Sequence, residues 1–290
     1  MIKLTYTSSN GTVFDLLTWE GLKTEKADFH KYAWKTSSTK KQFGEIIDKF
    51  TKDVQKYKTT FLFRGSPASR RAKIDAFHFC TEYDICHQTP GRITWGNDYI
   101  DCYIIESDTA PRNGGGLYTE NSVTIYCPYP FWIEEQTLSI NPINGAAEAR
   151  ESDKKYKDNY PYAYSYPISP TAQYMHIDHY AKNDFKLIAY GPTNEVNVTI
   201  ADHIYRVAHS LTARQYMVID SRQTTRPDKR CYMVNEAGIE TNLFNYRDET
   251  STLFEKIPSG DIMIDYARTY GIELTIFKER SEPRVTADSI

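Results

Sequence analysis

The sequence predicts a mainly β protein with one helix in its N-terminal half and an antiparallel β-sandwich in its C-terminal half. Three observations lead there. Short apolar segments alternating with period two recur along the chain, separated by Gly, Pro, Asn and Asp turns. Only the stretch from Ser66 to Pro90 combines helical spacing with start and stop signals. Tyrosine, which favours strands and broad contact surfaces, supplies 23 of 290 residues and outnumbers the 13 phenylalanines. The length suits two domains, each able to bury its own core, or one large β domain.

The elements follow in order. Ile2, Leu4 and Tyr6 alternate, Ser8-Ser9-Asn10-Gly11 supplies a turn, and Val13 to Leu17 resumes a strand. Residues 23–58 carry ten Lys against five acidic residues, with Phe29, Tyr32, Trp34, Phe43, Phe50 and Tyr57 dispersed among them. That mixture cannot close a core by itself, so it predicts an extended hairpin or arm, with a short helix near Phe43–Phe50. Thr59 to Arg64 returns as a strand. Ser66 then caps a helix, Pro67 suits its first position, and Ile74, Phe77, Cys80 and Tyr83 make its apolar stripe. Thr89-Pro90-Gly91 ends it. A hairpin follows from Arg92 to Glu106 with its turn at Gly96-Asn97-Asp98. The run 111–116 is a loop, Leu117 to Cys127 a strand, and Pro128-Tyr129-Pro130-Phe131-Trp132 closes the first half.

Residues 1–140 are assigned to the first domain, 141–182 to a linker and 183–290 to the sandwich. The linker signals are Asn141-Pro142-Ile143-Asn144-Gly145, a charged run from Glu148 to Lys157, and the Pro/Tyr-rich 160–167. Beyond Phe185, short strands alternate with turns at Gly191-Pro192-Thr193-Asn194, Glu236-Ala237-Gly238 and Pro258-Ser259-Gly260.

Composition excludes several classes. A net charge of −3 gives no global basic field for nucleic acid. The N-terminus has no apolar run of signal-peptide length, and no 18-residue apolar stretch suggests membrane insertion. The cysteines Cys80, Cys86, Cys102, Cys127 and Cys231 have neither zinc spacing nor a disulfide-scaffold pattern, and are expected to be reduced and mostly buried. No nucleophile elbow and no phosphate-binding loop occurs, and Gly114-Gly115-Gly116 lacks a following Lys. Glu134-Glu135 and Asp261/Asp265 are candidate carboxylate pairs, better read as solvated. His176-Ile177-Asp178-His179 is the best metal candidate, and Cys86-His87 a weaker one. Arg214, Arg222, Arg226, Lys229 and Arg230 form a basic cluster that reads either as an exposed turn or as a contact for phosphate, acidic glycan or partner protein. No catalytic residue, metal or cofactor is expected.

One ordered set of motifs goes further. Phe185 to Tyr190 leads into Gly191-Pro192; Met217-Val218-Ile219-Asp220-Ser221 follows, then Asn242-Leu243-Phe244, then Phe254-Glu255-Lys256-Ile257-Pro258-Ser259-Gly260, and finally Ile272 to Ile276 running into Glu279 to Arg284. This set resembles the distal tail protein (Dit) family of long-tailed phages. The N-terminal half resembles the same family by element order, by its helix–Pro-Gly–hairpin passage and by the Pro-Tyr-Pro-Phe-Trp terminus. The resemblance implies a ring-forming N-terminal β domain with an extended belt hairpin and a galectin-like sandwich. It implies a non-enzymatic virion component, made in the host cytoplasm without a signal peptide, six copies of which form a ring at the distal end of the tail tube. Its implied partners are further copies of itself, the tail-tube protein, a tail-tip or tail-associated hub protein, and receptor-binding or baseplate proteins, with DNA only passing through the lumen. Phe43, Phe50, Tyr57 and Trp34 on the arm are the interface candidates. The alternative reading is a carbohydrate-binding β-sandwich module for host-surface adsorption, in which tyrosines would stack on sugars.

Overall fold

A computed structural model describes residues 3–20, 22–110, 118–143 and 172–284. The run 111–116 and most of the expected linker lie outside the described residues. The chain divides into two compact units, Met1–Glu134 with Glu279–Ile290, and Glu135–Lys278.

The first unit contains β1 (Leu4–Thr7), β2 (Val13–Asp15), β3 (Lys23–Ala27), β4 (Lys35–Lys40), β5 (Glu45–Thr51), β6 (Gln55–Arg64), α1 (Pro67–Cys86), β7 (Gly91–Trp95), β8 (Asp98–Ala110), β9 (Tyr118–Cys127) and the start of β10 (Trp132–Ile140). β8 organises them. Its first residues pair with β7 and β10, and from Tyr103 onward it pairs with β9, past a register shift at Ile104/Glu106. One strand therefore joins the order β2-β1-β7-β8-β10 to the order β8-β9-β6-β3. Alternation on β6 turns Tyr57, Thr59, Phe61 and Phe63 inward, where they are buried with Phe29, Ile100, Cys102, Ile125 and Trp132.

The helix forms where the sequence places it. Ser66 Oγ accepts from Ser69 N at 3.3 Å and Pro67 occupies the first turn. Phe77 packs edge-on against Tyr6, Phe14, Phe61 and Phe63. Asp84, on the same helix, is fully buried. Its carboxylate accepts from the Tyr6 hydroxyl, from Ser8 Oγ at 2.7 Å, and from Ser9 N and Oγ at 2.8 and 2.7 Å. Four donors offset the cost of burying that charge and tie α1 to β1. Burial, then the bond to Asp84, push the Tyr6 hydroxyl well above the ordinary tyrosine range. Gly91 passes so close that a Cβ there would stand 2.5 Å from Asp84 Oδ2 and 2.7 Å from the Tyr6 ring.

The second unit is an antiparallel sandwich. It contains β11 (Gln173–Ile177), β12 (Asp184–Tyr190), β13 (Val196–Ile200), β14 (His203–Val207), β15 (Tyr216–Asp220), β16 (Cys231–Val234), β17 (Glu240–Asn242), β18 (Gly260–Asp265) and β19 (Gly271–Arg280). One sheet has the order β17-β16-β15-β12-β19 and the other β11-β18-β13-β14. Phe185, Leu187, Met217, Ile219, Leu274 and Ile276 from the first meet Ile177, Val198, Ile200, Tyr205, Ile262 and Ile264 from the second in one core. Ser221 Oγ accepts from Phe185 N and donates to Asp184, both at 2.8 Å, and Lys256 Nζ reaches Asp184 at 2.8 Å.

Four expectations change. Residues 45–51 are a strand, not a short helix; their β-branched Ile46, Ile47 and Thr51 suit extended backbone. The predicted arm 23–58 narrows, because both its ends belong to the body: β3 pairs with residues 59–62 of β6, and the start of β6 pairs with β9. The expected linker contains β11, which pairs in full with β18. Finally, the chain end returns to the first unit, where Arg284 N donates to Asp98 Oδ2 at 2.7 Å and the Arg284 guanidinium meets Glu134 at 2.7 Å.

Phe77→Ala is expected to lower unfolding free energy by about 3–5 kcal/mol, and Asp84→Asn by about 1–3 kcal/mol, both read from denaturant titration. Losses below about 1 kcal/mol at both sites would contradict this picture of the first core.

Candidate functional site

β4 and β5 form a two-stranded sheet that pairs with no other described strand. The register runs from Lys35 opposite Thr51 to Lys40 opposite Glu45, with a shift between Ser37 and Ser38. Gly44 closes the turn at φ +77, a left-handed conformation that glycine adopts without a Cβ clash. Thr39 Oγ1 donates to Asp48 at 2.8 Å, and Ser38 Oγ donates to Glu45.

The hairpin's apolar side chains are uncovered. Phe43 at the tip is 89% exposed, Phe50 56%, Ile46 55% and Ile47 53%. Adjacent strand residues point to opposite faces, so Ile46 and Ile47 place apolar area on both sides. A lone hairpin is at best marginally stable in water.

Its root is an aromatic cluster. Trp34 directly precedes β4 and Lys52 directly follows β5. The Lys52 ammonium lies 4.4 Å from the Phe131 ring centroid and 5.7 Å from those of Tyr32 and Trp34. Its Nζ is buried and accepted by no oxygen. Trp34 and Phe131 are themselves in contact, as are Phe131 and Tyr129, whose hydroxyl donates to Glu279. Burial lowers Lys52 to about 8.

The sequence-predicted residues separate accordingly. Phe43, Phe50 and Trp34 are exposed on or beside the hairpin. Tyr57 is not: it lies fully buried in its own subunit's core, where Trp132 Nε1 donates to its hydroxyl at 3.1 Å. It belongs to the inward row of β6, a placement that the Lys-rich flanks of 56–58 conceal. Lys52, Tyr32 and Phe131 at the root were missed, because one Lys among ten carries no mark of what its ammonium touches.

The chemical candidates resolve into local contacts. His176 Nδ1 pairs with Asp261 at 2.7 Å, while His179 Nδ1 faces Ala181 O at 3.3 Å. Among the described residues no group of three or more His, Cys, Asp or Glu is placed to hold a metal ion. Glu134 and Glu135 are consecutive on β10 and point to opposite faces, so they do not converge. Asp261 and Asp265 lie four residues apart along β18, roughly 13 Å. His87 Nδ1 donates to Tyr83 O at 2.9 Å and its ring stacks on Tyr83; Cys86 is exposed beside it. The other four cysteines are buried free thiols, and burial pushes Cys231 up to about 12.

The basic cluster is mostly spent internally. Arg222 grips Asp220 at 2.7 Å and lies 4.0 Å over Phe277; Lys229 pairs with Glu240 and Arg226 with Asp228. Arg230 lies 3.8 Å over Phe254, which stacks on Phe244, which carries Arg247 at 4.1 Å. This four-layer stack fixes the loops beside β16. An open groove of about 1,110 Å³ in the sandwich is lined by Glu195, Asn197, Thr199, Asp265, Tyr266 and Tyr270. Its two tyrosines are buried, and their hydroxyls donate to Tyr270 O and Asn197 O. They present no free ring face for stacking on a sugar.

No family model matches the sequence, and no curated protein matches it. Solved structures do. The crystal structure of SPP1 Dit, described as a paradigm of the hub adsorption apparatus in phages infecting Gram-positive bacteria, aligns over 97% of this chain and 99% of its own, with TM-score 0.60 and 11% identity. The chain has the Dit fold. A chain of the phage P2 baseplate in its activated conformation with Ca aligns over 98% of this chain and 100% of its own, with TM-score 0.63 and 12% identity. The same baseplate with Sr gives TM-score 0.63 at 11% identity, over 98% and 100% of the two chains. Nearly full mutual coverage means that the Dit fold accounts for both units, not for one alone.

The Lys52 value sets a linkage. Unfolded, a lysine titrates near 10.5, and folded, Lys52 titrates near 8. Between these the unfolded chain binds the extra proton, so this residue's contribution to stability rises as pH increases from 8 to 10.5. Heteronuclear NMR of the Lys52 ammonium is expected to show its midpoint near 8; a midpoint of 10.5 would contradict the buried cage.

Proposed function

We propose that this chain is a structural, non-catalytic subunit of a phage tail tip, acting as a hub between the tail tube and the adsorption apparatus. In this reading six copies close into a ring at the distal end of the tube, DNA passes through the lumen, and the sandwich faces outward. Its partners are neighbouring copies, the tail-tube protein, a tail-tip hub protein, and receptor-binding or baseplate proteins. The protein resides in the virion.

One observation carries the reading: a hairpin with apolar residues on both faces and no cover from the described residues of its own subunit. Burying a large apolar side chain contributes about 1.5–3 kcal/mol, so covering Phe43, Ile46, Ile47 and Phe50 supplies enough to hold a neighbour. A ring needs a heterologous contact, in which different patches of each copy meet and the rotation closes. A projecting hairpin provides one such patch without enlarging the core. The Dit fold of the whole chain and the baseplate origin of its structural neighbours support the same reading.

Phe43→Asp with Ile47→Asp is expected to leave subunit melting unchanged and to abolish the ring, as read by mass in solution and by electron microscopy. Six-copy rings forming as readily in this variant as in the parent would overturn the proposal.

A further inference from the structure

We propose that Lys52 is a positioning residue: its ammonium, boxed by Tyr32, Trp34 and Phe131, fixes the direction in which the β4–β5 hairpin leaves the body. The hairpin's two legs, at Trp34 and Lys52, converge on this point. The ion pair Lys35–Asp53 joins one leg to the other, and the bond from Gln55 Nε2 to Lys31 O at 3.0 Å ties the first leg to the start of β6. Phe131 is the element outside the legs that both touch, through its contacts with Trp34 and with Lys52. Phe131 is in turn anchored by its neighbour Trp132, which is fully buried in the core.

The chemistry selects this position. A lysine stem is long and flexible, and its ammonium ordinarily reaches for water or a carboxylate. Here the Nζ has neither a hydrogen-bond acceptor nor solvent exposure. Three ring faces stand in for both, an arrangement favoured by the ring quadrupole and strengthened by desolvation. Burial lowers the Lys52 pKa to about 8, consistent with an ammonium withdrawn from water yet still mostly charged at neutral pH.

A neutral side chain of the same reach would fill the space and lose the grip, whereas arginine would retain it by stacking. The effect on the hairpin stands alone; its consequence for assembly rests on the ring reading above.

The test uses the full chain with Cys86→Ser and a dye on Gln42→Cys at the hairpin tip, at a concentration where subunits are separate. Lys52→Met is expected to increase tip mobility in time-resolved anisotropy without lowering the melting temperature at neutral pH, since the buried charge is removed, and Lys52→Arg to restore the parent mobility. Phe131→Leu, which removes the nearest ring, is expected to match Lys52→Met. At higher concentration, association of the Lys52→Met chain is expected to weaken about tenfold. Tip mobility unchanged in both Lys52→Met and Phe131→Leu would overturn the positioning role, whatever the oligomer does. Increased mobility with undiminished association would leave the positioning role standing and count against the ring reading.

Discussion

Two strands that no other described strand completes, carrying apolar side chains on both faces, are the constraint on which the rest of the first unit turns. A sheet normally covers one face with a core. The β4–β5 hairpin covers neither, and its Lys, Thr and Ser residues keep it soluble while Phe43, Ile46, Ile47 and Phe50 remain open. Edge strands of this kind are templates for pairing with another chain. The body below it is correspondingly firm. β8 serves two strand orders, α1 closes the core through Phe77, and the root cluster around Lys52 joins the hairpin's two legs to Phe131.

In each unit a buried carboxylate fixes a junction of the sheet with its neighbouring elements. Asp84 collects donors from Tyr6, Ser8 and Ser9 and so locks the helix to the first strand. Asp184 collects Ser221 and Lys256 and so locks the entry of β12 to the loops after β15 and before β18. These are structural uses of charge. The same holds for Arg222, whose guanidinium is occupied by Asp220 and Phe277, and for Arg230, which lies over Phe254. Groups that resemble chemistry in the sequence are holding loops in place.

The fold was largely legible in the sequence because its signals are local. Ser66-Pro67 and the Phe77 stripe mark the helix, Gly96-Asn97 marks a hairpin, and period-two alternation marks most strands. What was hidden depends on distant partners. Tyr57 resembles Phe43 and Phe50 in its Lys-rich context, yet the inward row of β6 buries it. β11 resembled a linker with a metal motif, because Tyr174 and His176 face out and only Met175 and Ile177 face in. The return of the chain end to the first unit follows from Arg284 meeting Asp98 and Glu134, a pairing that no local pattern encodes. Lys52 needed three rings from two separate segments before it could be distinguished from its neighbours.

Amide hydrogen exchange of residues 35–51, followed as protein concentration rises, tests the central claim most directly. Completion of the hairpin by another copy predicts fast exchange in dilute solution and protection that grows with concentration, on the face and edge where the neighbour sits. Exchange that stays fast in the assembled protein would contradict it, as would full protection already present in the isolated subunit.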